Sequence, residues 1–353
     1  MSHGGEPNRA RLITVDKETI DRLLDEAGAV QNRDILADIL RNAVALASDG
    51  ADRLDLKITR DALKEMREAF RMFAPYQDVR KVTIFGSART RTDDPLYAHA
   101  RELAHLLAEA GWMVVTGAGP GIMAAGVEGA GPGRALGVTI QLPFEEGLSA
   151  GLAGNDDHVV AMKYFFTRKL MLVKESSGFV GLPGGFGTQD EMFELFTLQQ
   201  TGKATPAPIV LLDVPGGTYW TRWHEYVQAE LVANGYVSPE DLDLFLITHD
   251  VAKAVDEIQR FWRSYRSIRW VGDRLVIRLV HAPTDAELVQ LNEQFADLSD
   301  GPIERSGPLP PERSSRDALD LERLVLRFDI RKAPRLRTLI GALNTLPSLD
   351  TTS

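Results

Sequence analysis

Cysteine is absent from all 353 positions of the sequence. That excludes disulfides, a thiol nucleophile and thiolate metal ligation. No apolar run approaches the ~20 residues a membrane-spanning helix needs. The opening Met1-Ser-His-Gly-Gly lacks the basic and apolar regions of a signal peptide. Positive charge is also scarce: 40 Lys and Arg against 50 Asp and Glu leave a formal charge of −10. An extended nucleic-acid surface needs a positive field, so no such partner is expected, although a local basic pocket is compatible with this balance. No G-x-x-x-x-G-K-[ST] occurs, which excludes a P-loop ATPase. These absences fit a cytoplasmic protein without a membrane partner.

Hydrophobic residues at 44% and charged residues at 25% are ordinary globular values, and the length suits two domains or one with appendages. Residues 1–10 are polar and expected to be disordered. Segments 16–48 and 59–74 place Ile20, Leu23, Leu24, Ala27, Ile35, Leu36, Ile39 and Leu40, then Leu63, Met66, Phe70 and Phe73, at helical spacing. Residues 1–75 therefore read as a helical N-terminal arm.

From residue 81 the texture changes. Strands are expected over 82–85, 112–116, 136–142, 177–182 and 208–213, with a further strand after 158. Helices are expected over 97–110, 122–130, 164–175, 188–200, 219–233 and 251–265. This alternation predicts an α/β fold, a doubly wound, parallel, Rossmann-like sheet over 76–265. Beyond it, 266–353 reads as a small α+β appendage. It has antiparallel strands over 274–280 and 321–328, helices over 284–297 and 334–344, and a mobile Pro/Ser-rich loop at 299–318.

Ligands bind such sheets at the carboxyl ends of strands. Three glycine turns fall there: 86–87, 117–121 and 184–187. The most informative stretch is Pro183-Gly184-Gly185-Phe186-Gly187-Thr188-Gln189-Asp190-Glu191. Its glycines let the backbone approach a ligand closely, and amides opening the following helix favour phosphate. With Thr188 as N-cap, Glu191 projects from the first turn, giving a phosphate seat beside a carboxylate. The same Thr188-x-x-Glu191 is also a capping box, which does no chemistry. Gly117-Ala118-Gly119-Pro120-Gly121 fails as a dinucleotide fingerprint. The third glycine would stand at Ile122, and Gln141-Leu142-Pro143 offers no carboxylate to a ribose diol. Asp156, Asp157 and His158 suggest a metal, but neighbours on an extended chain point apart, and a solvated loop is the plainer reading. Taken alone, Tyr164, Phe165 and Phe166 read as core, and Arg168-Lys169 as a solvated helix face.

Gly86-Ser87, Gly119-Pro120-Gly121-Ile122-Met123, Arg168-Lys169 and the Pro183 to Glu191 motif occur together and in that order. Together they resemble the LOG ("lonely guy") family of nucleoside 5′-monophosphate phosphoribohydrolases, also labelled lysine decarboxylase-like. Gly235 to Leu242 adds to the resemblance, which spans 80–265. The terminal segments exceed the short plant-type enzymes and look more like a longer bacterial subgroup. Two positions depart: Ala124, where many members carry Glu, and Lys163, where the short enzymes tend to have His.

The resemblance implies cleavage of the N-glycosidic bond of purine or cytokinin riboside 5′-monophosphates, giving free base and ribose 5-phosphate. It implies that Glu191 is the carboxylate beside an oxocarbenium-like state, as in O-glycosidases, and that Arg168 clamps the ligand and assists the leaving base. Gly184, Gly185, Gly187 and Thr188 would hold the 5′-phosphate, with Lys169 and Phe186 also among the substrate-binding residues. Gly86, Ser87, Gly119 and Gly121 would line the other wall. No metal or redox cofactor is implied, and a homodimer or larger homo-oligomer is. The decarboxylase label would need pyridoxal phosphate on a Schiff-base lysine; Lys169 and Lys174 exist, but nothing else in the chain supports that chemistry. The competing class is a nucleotide or molybdenum-cofactor carrier or sensor without turnover, which shares this architecture. The presence of both Arg168 and Glu191 favours the hydrolase.

Overall fold

The computed structural model describes residues 15–141, 151–152 and 156–350. The expectation of disorder at 1–10, and the end of the strand expected to reach Leu142, lie outside them. The chain divides into two compact units, with the boundary between Arg67 and Glu68.

The first unit holds α1 (Lys17–Glu26), α2 (Arg33–Ala45) and most of α3 (Arg53–Phe73). Asp16 caps α1 by accepting from the Thr19 amide. The run expected over 16–48 is two helices, because Gly28 and Asn32 both take positive φ between them. Ile20, Leu24 and Ala37 form a small core, backed by Val15, Ala29 and Leu40.

The second unit opens with the expected alternation: β1 (Lys81–Phe85), α4 (Pro95–Glu109), β2 (Met113–Thr116), α5 (Ile122–Ala130), β3 (Ala135–Ile140), β4 (Val159–Met162) and α6 (Phe165–Lys174). It continues through β5 (Gly178–Gly181), α7 (Phe186–Gln200), β6 (Ile209–Leu212), α8 (Tyr219–Tyr226), β7 (Leu246–Thr248) and α9 (Val251–Arg260). The seven strands are all parallel, in the order β4-β3-β2-β1-β5-β6-β7. This is the α/β, Rossmann-like sheet the sequence pattern predicts. Every residue of β1, β2, β5 and β6 is buried, which is why those strands read as continuous rather than alternating apolar runs. The strand β7 is an addition to the expected set; its three residues are too few to show a period. α8 runs on as a π-helical stretch, Val227–Val232.

A second, antiparallel sheet follows, in the order β10-β11-β9-β8. Its elements are β8 (Tyr265–Val271), β9 (Arg274–Leu279), α10 (Asp285–Gln294), β10 (Glu304–Ser306), α11 (Pro310–Ser315), β11 (Glu322–Leu326) and α12 (Ala333–Leu343). Two expectations need correction. The helix expected over 251–265 stops at Arg260, and Tyr265 already belongs to β8. The segment expected as a mobile loop over 299–318 contains β10 and α11. It is anchored by Glu312, whose side chain is fully buried. One oxygen of Glu312 accepts from Arg278 Nε and Nη2 at 2.9 and 2.7 Å, and the other from Arg323 Nε at 3.2 Å. Burial alone would raise this carboxyl, but the Leu309 amide and the two guanidinium groups hold it below its ordinary value. Removing one partner strands buried charges, so Glu312→Ala is expected to cost roughly 3–5 kcal/mol, read as a lower urea midpoint. A loss under about 1 kcal/mol would mean water screens the cluster.

Candidate active site

The strand order reverses between β1 and β5, so the crevice outside their carboxyl ends is the topological switch point. The three glycine turns meet there. The parallel ladder runs past the strands, with the Leu182 amide donating to Phe85 O and the Ser87 amide to Pro183 O. The Ile122 amide donates to Ser87 O, which ties the third turn to the first. Gly121 makes that junction possible: its φ is +66°, and a Cβ on it would stand 2.3 Å from Ser87 O.

These turns bound a cleft of about 680 Å³. Gly86, Ser87, Arg168, Gly184, Gly185, Phe186, Gly187, Thr188 and Glu191 all line it. Three other residues expected at the site do not. Gly119 and Gly121 serve the turn itself. Lys169 faces α7, with Nζ 2.9 Å from Asp190 and 2.5 Å from Glu194. Tyr219, Gly117, Gln189, Arg89 and Met123, none of them singled out from the sequence as ligand contacts, also line the cleft.

The phasing of α7 differs from the expected one. The helix begins at Phe186 with Gly185 at the N-cap, and no side chain among the described residues caps it. Thr188 is therefore inside the first turn, Glu191 lies in the second, and no Thr188–Glu191 capping box forms. The opening amides of α7 have no intrahelical acceptor, and the residues that carry them, Phe186, Gly187 and Thr188, line the cleft at the positive end of the helix dipole. Gly184 allows this packing, since a Cβ there would lie 2.1 Å from Thr188 Oγ1.

Arg168 reaches the cleft from α6. Its Nε donates to Val138 O at 3.0 Å, towards the carboxyl end of β3. Its Nη1 stands 3.9 Å from Glu191 Oε1. Glu191 is only 5% exposed, and its Oε2 has no hydrogen-bond partner among the described residues. Burial pushes its carboxyl up to about 7, against the opposing pull of Arg168 and then Lys169. A separation of 3.9 Å is too long for a direct hydrogen bond, so the cation offsets only part of the desolvation. The result is a cleft carboxyl able to exchange a proton near neutral pH.

Lys169 does not fit a Schiff-base role. Burial works to lower its amine, yet hydrogen bonds to Asp190 and Glu194 leave it raised overall, the opposite of what a nucleophilic lysine needs. Lys174 pairs with Glu175 at 2.5 Å. His158, from the acidic cluster considered as a metal site, lies 2.7 Å from the Tyr76 hydroxyl.

Fold and cleft together define a Rossmann-like protein with a glycine-built, carboxylate-bearing site at its switch point. Residues 121–258 match the family described as "Possible lysine decarboxylase". A cytokinin riboside 5′-monophosphate phosphoribohydrolase of Mycobacterium tuberculosis is 28% identical over 169 residues, 48% of this chain and 88% of that protein. A probable enzyme of the same name from rice is 32% identical over 94 residues, 27% of this chain and 40% of that one. An Arabidopsis thaliana enzyme of that name is 25% identical over 141 residues, 40% of this chain and 58% of that one. The match thus spans about half the length of the plant relatives. Among solved structures, a molybdenum cofactor binding protein from Rippkaea orientalis aligns with 51% of this chain and 96% of its own, at a TM-score of 0.38 and 18% identity. These similarities fall in the α/β segment, the part of the chain whose motifs resemble the LOG family.

Proposed function

We propose that the chain hydrolyses the N-glycosidic bond of nucleoside 5′-monophosphates, of the purine or cytokinin riboside class, to free base and ribose 5-phosphate. The observation that carries this reading is Glu191: a buried carboxyl with one oxygen unpartnered among the described residues, beside Arg168 and near an uncapped helix N-terminus. The 5′-phosphate sits on the amides opening α7. As the bond from C1 to the base nitrogen breaks, positive charge grows on the sugar, and the Glu191 carboxylate stabilises it or takes a proton from the attacking water. Water supplies the hydroxyl at C1, and its proton leaves with the base. Arg168 holds the nucleotide and favours departure of the base. A pure carrier has no use for a desolvated carboxylate at this position, which supports hydrolysis over storage. Assembly as a homodimer or larger oligomer belongs to the same reading. It is supported by exposed apolar residues around the cleft, Phe186 at 96% and Phe165 at 54%.

The test is release of free base from a panel of nucleoside 5′-monophosphates, with the plain nucleosides as controls. Release from AMP or GMP, with nucleosides inert, is the expected result. Tight nucleotide binding without release from any of them would establish a carrier or sensor instead.

A further inference from the structure

The phosphate loop is held from outside by a residue the family motif does not include. Asp213, at the end of β6, is 3% exposed. Its Oδ1 accepts from the Val214 amide at 2.8 Å and its Oδ2 from the Tyr219 amide at 3.0 Å, which fixes the start of α8. The Tyr219 ring packs edge-on against Trp220, with centroids 4.8 Å apart. Its hydroxyl donates to Gly184 O at 2.6 Å and accepts from Gln189 Nε2 at 2.5 Å. The direction of both bonds is forced. A carbonyl can only accept, so the single hydroxyl hydrogen goes to Gly184, and Gln189 must turn its amide nitrogen towards Tyr219. That leaves Gln189 Oε1 without a partner among the described residues.

We infer that Tyr219 is a positioning residue that locks the Gly184–Gly185 peptide in its phosphate-accepting orientation. Across a trans peptide the carbonyl and the following N–H point to opposite sides. Holding Gly184 O towards α8 therefore holds the Gly185 N–H away from it. Glycine on both sides of this bond leaves the flipped orientation conformationally open. A flip would exchange a donor for a carbonyl oxygen next to the helix N-terminus, where an anion is to bind. The Tyr219 hydroxyl is the contact that opposes the flip. This rests on the proposed phosphate seat but does not require turnover.

Tyr219→Phe keeps the ring against Trp220 and removes only the hydroxyl. Titration with ribose 5-phosphate, well below the melting temperature of the variant, is expected to show Kd raised about tenfold, the loss of one hydrogen bond's worth of preorganisation. KM for a nucleoside 5′-monophosphate should rise in parallel while kcat stays within about threefold, since only binding geometry changes. A merely structural tyrosine would lower the melting temperature and leave ribose 5-phosphate affinity intact; unchanged affinity overturns the inference. Wild-type protein that binds ribose 5-phosphate but releases no base, with binding lost in Tyr219→Phe, would sink the hydrolase reading and leave this one standing. Wild-type protein that releases base but binds no ribose 5-phosphate would sink this inference and leave the hydrolase reading standing.

Discussion

Glu191→Gln is expected to lower kcat/KM for base release by roughly 10³, the scale of a lost charge-stabilising or proton-transferring group, while nucleotide affinity stays within a few-fold. Glutamine keeps the shape and one carbonyl oxygen but carries no charge and takes up no proton. The same substitution should stabilise the protein above neutral pH. Burial lifts the folded-state carboxyl to about 7, from an ordinary value of 4.5. Between those values the folded chain binds the proton more tightly than the unfolded chain. Stability therefore falls as pH rises through that window. Glutamine removes this penalty, so at pH 8 the variant should exceed wild type by roughly 1–3 kcal/mol, with the gap closing near pH 4.5. If the carboxylate is the working form, wild-type kcat/KM should climb with pH to an inflection near 7. A variant that melts below wild type at pH 8 would make Glu191 a support of the fold rather than of the chemistry.

That outcome bears on how the sequence could be read. The parallel sheet was legible because buried strands such as 82–85 and 208–213 are uninterrupted apolar runs separated by helical periods. The cleft was legible because its glycine turns follow strands directly. Helix phase was not. Thr188-x-x-Glu191 has the spacing of a capping box, yet α7 starts at Phe186, since Gly185 can take the N-cap position without a side-chain bond. The brace from Tyr219 was invisible for a different reason: it comes from the first residue of α8, and no local pattern ties residue 219 to residue 184. The same holds for Glu312. A Pro/Ser-rich composition argues for a loose loop, and only the return of β9 and β11 brings Arg278 and Arg323 to its carboxylate. Local chemistry and periodicity are written in the sequence; partners separated by tens of residues are set by topology.

Gly117→Ala is the second large effect, and its signs are opposite for stability and activity. Gly117 follows β2 and has no positive φ, so alanine fits the backbone there. Its Cβ, however, would stand 2.1 Å from Arg168 Nη2 and 2.7 Å from Met123 Sδ. Both are ends of flexible side chains, so they move and the fold survives. Loss of glycine freedom in the unfolded chain can add up to about 1 kcal/mol, and melting should be unchanged or slightly higher. Arg168 has to give up its place beside Glu191, and a displacement of about 1 Å in such a group costs on the order of 10² in rate. We expect kcat/KM to fall by roughly 10²–10³. Because both changes act through one guanidinium, Gly117→Ala combined with Arg168→Ala should be no worse than Arg168→Ala alone. Additive losses in that cycle would mean that Gly117 serves the cleft by a route other than making room for Arg168.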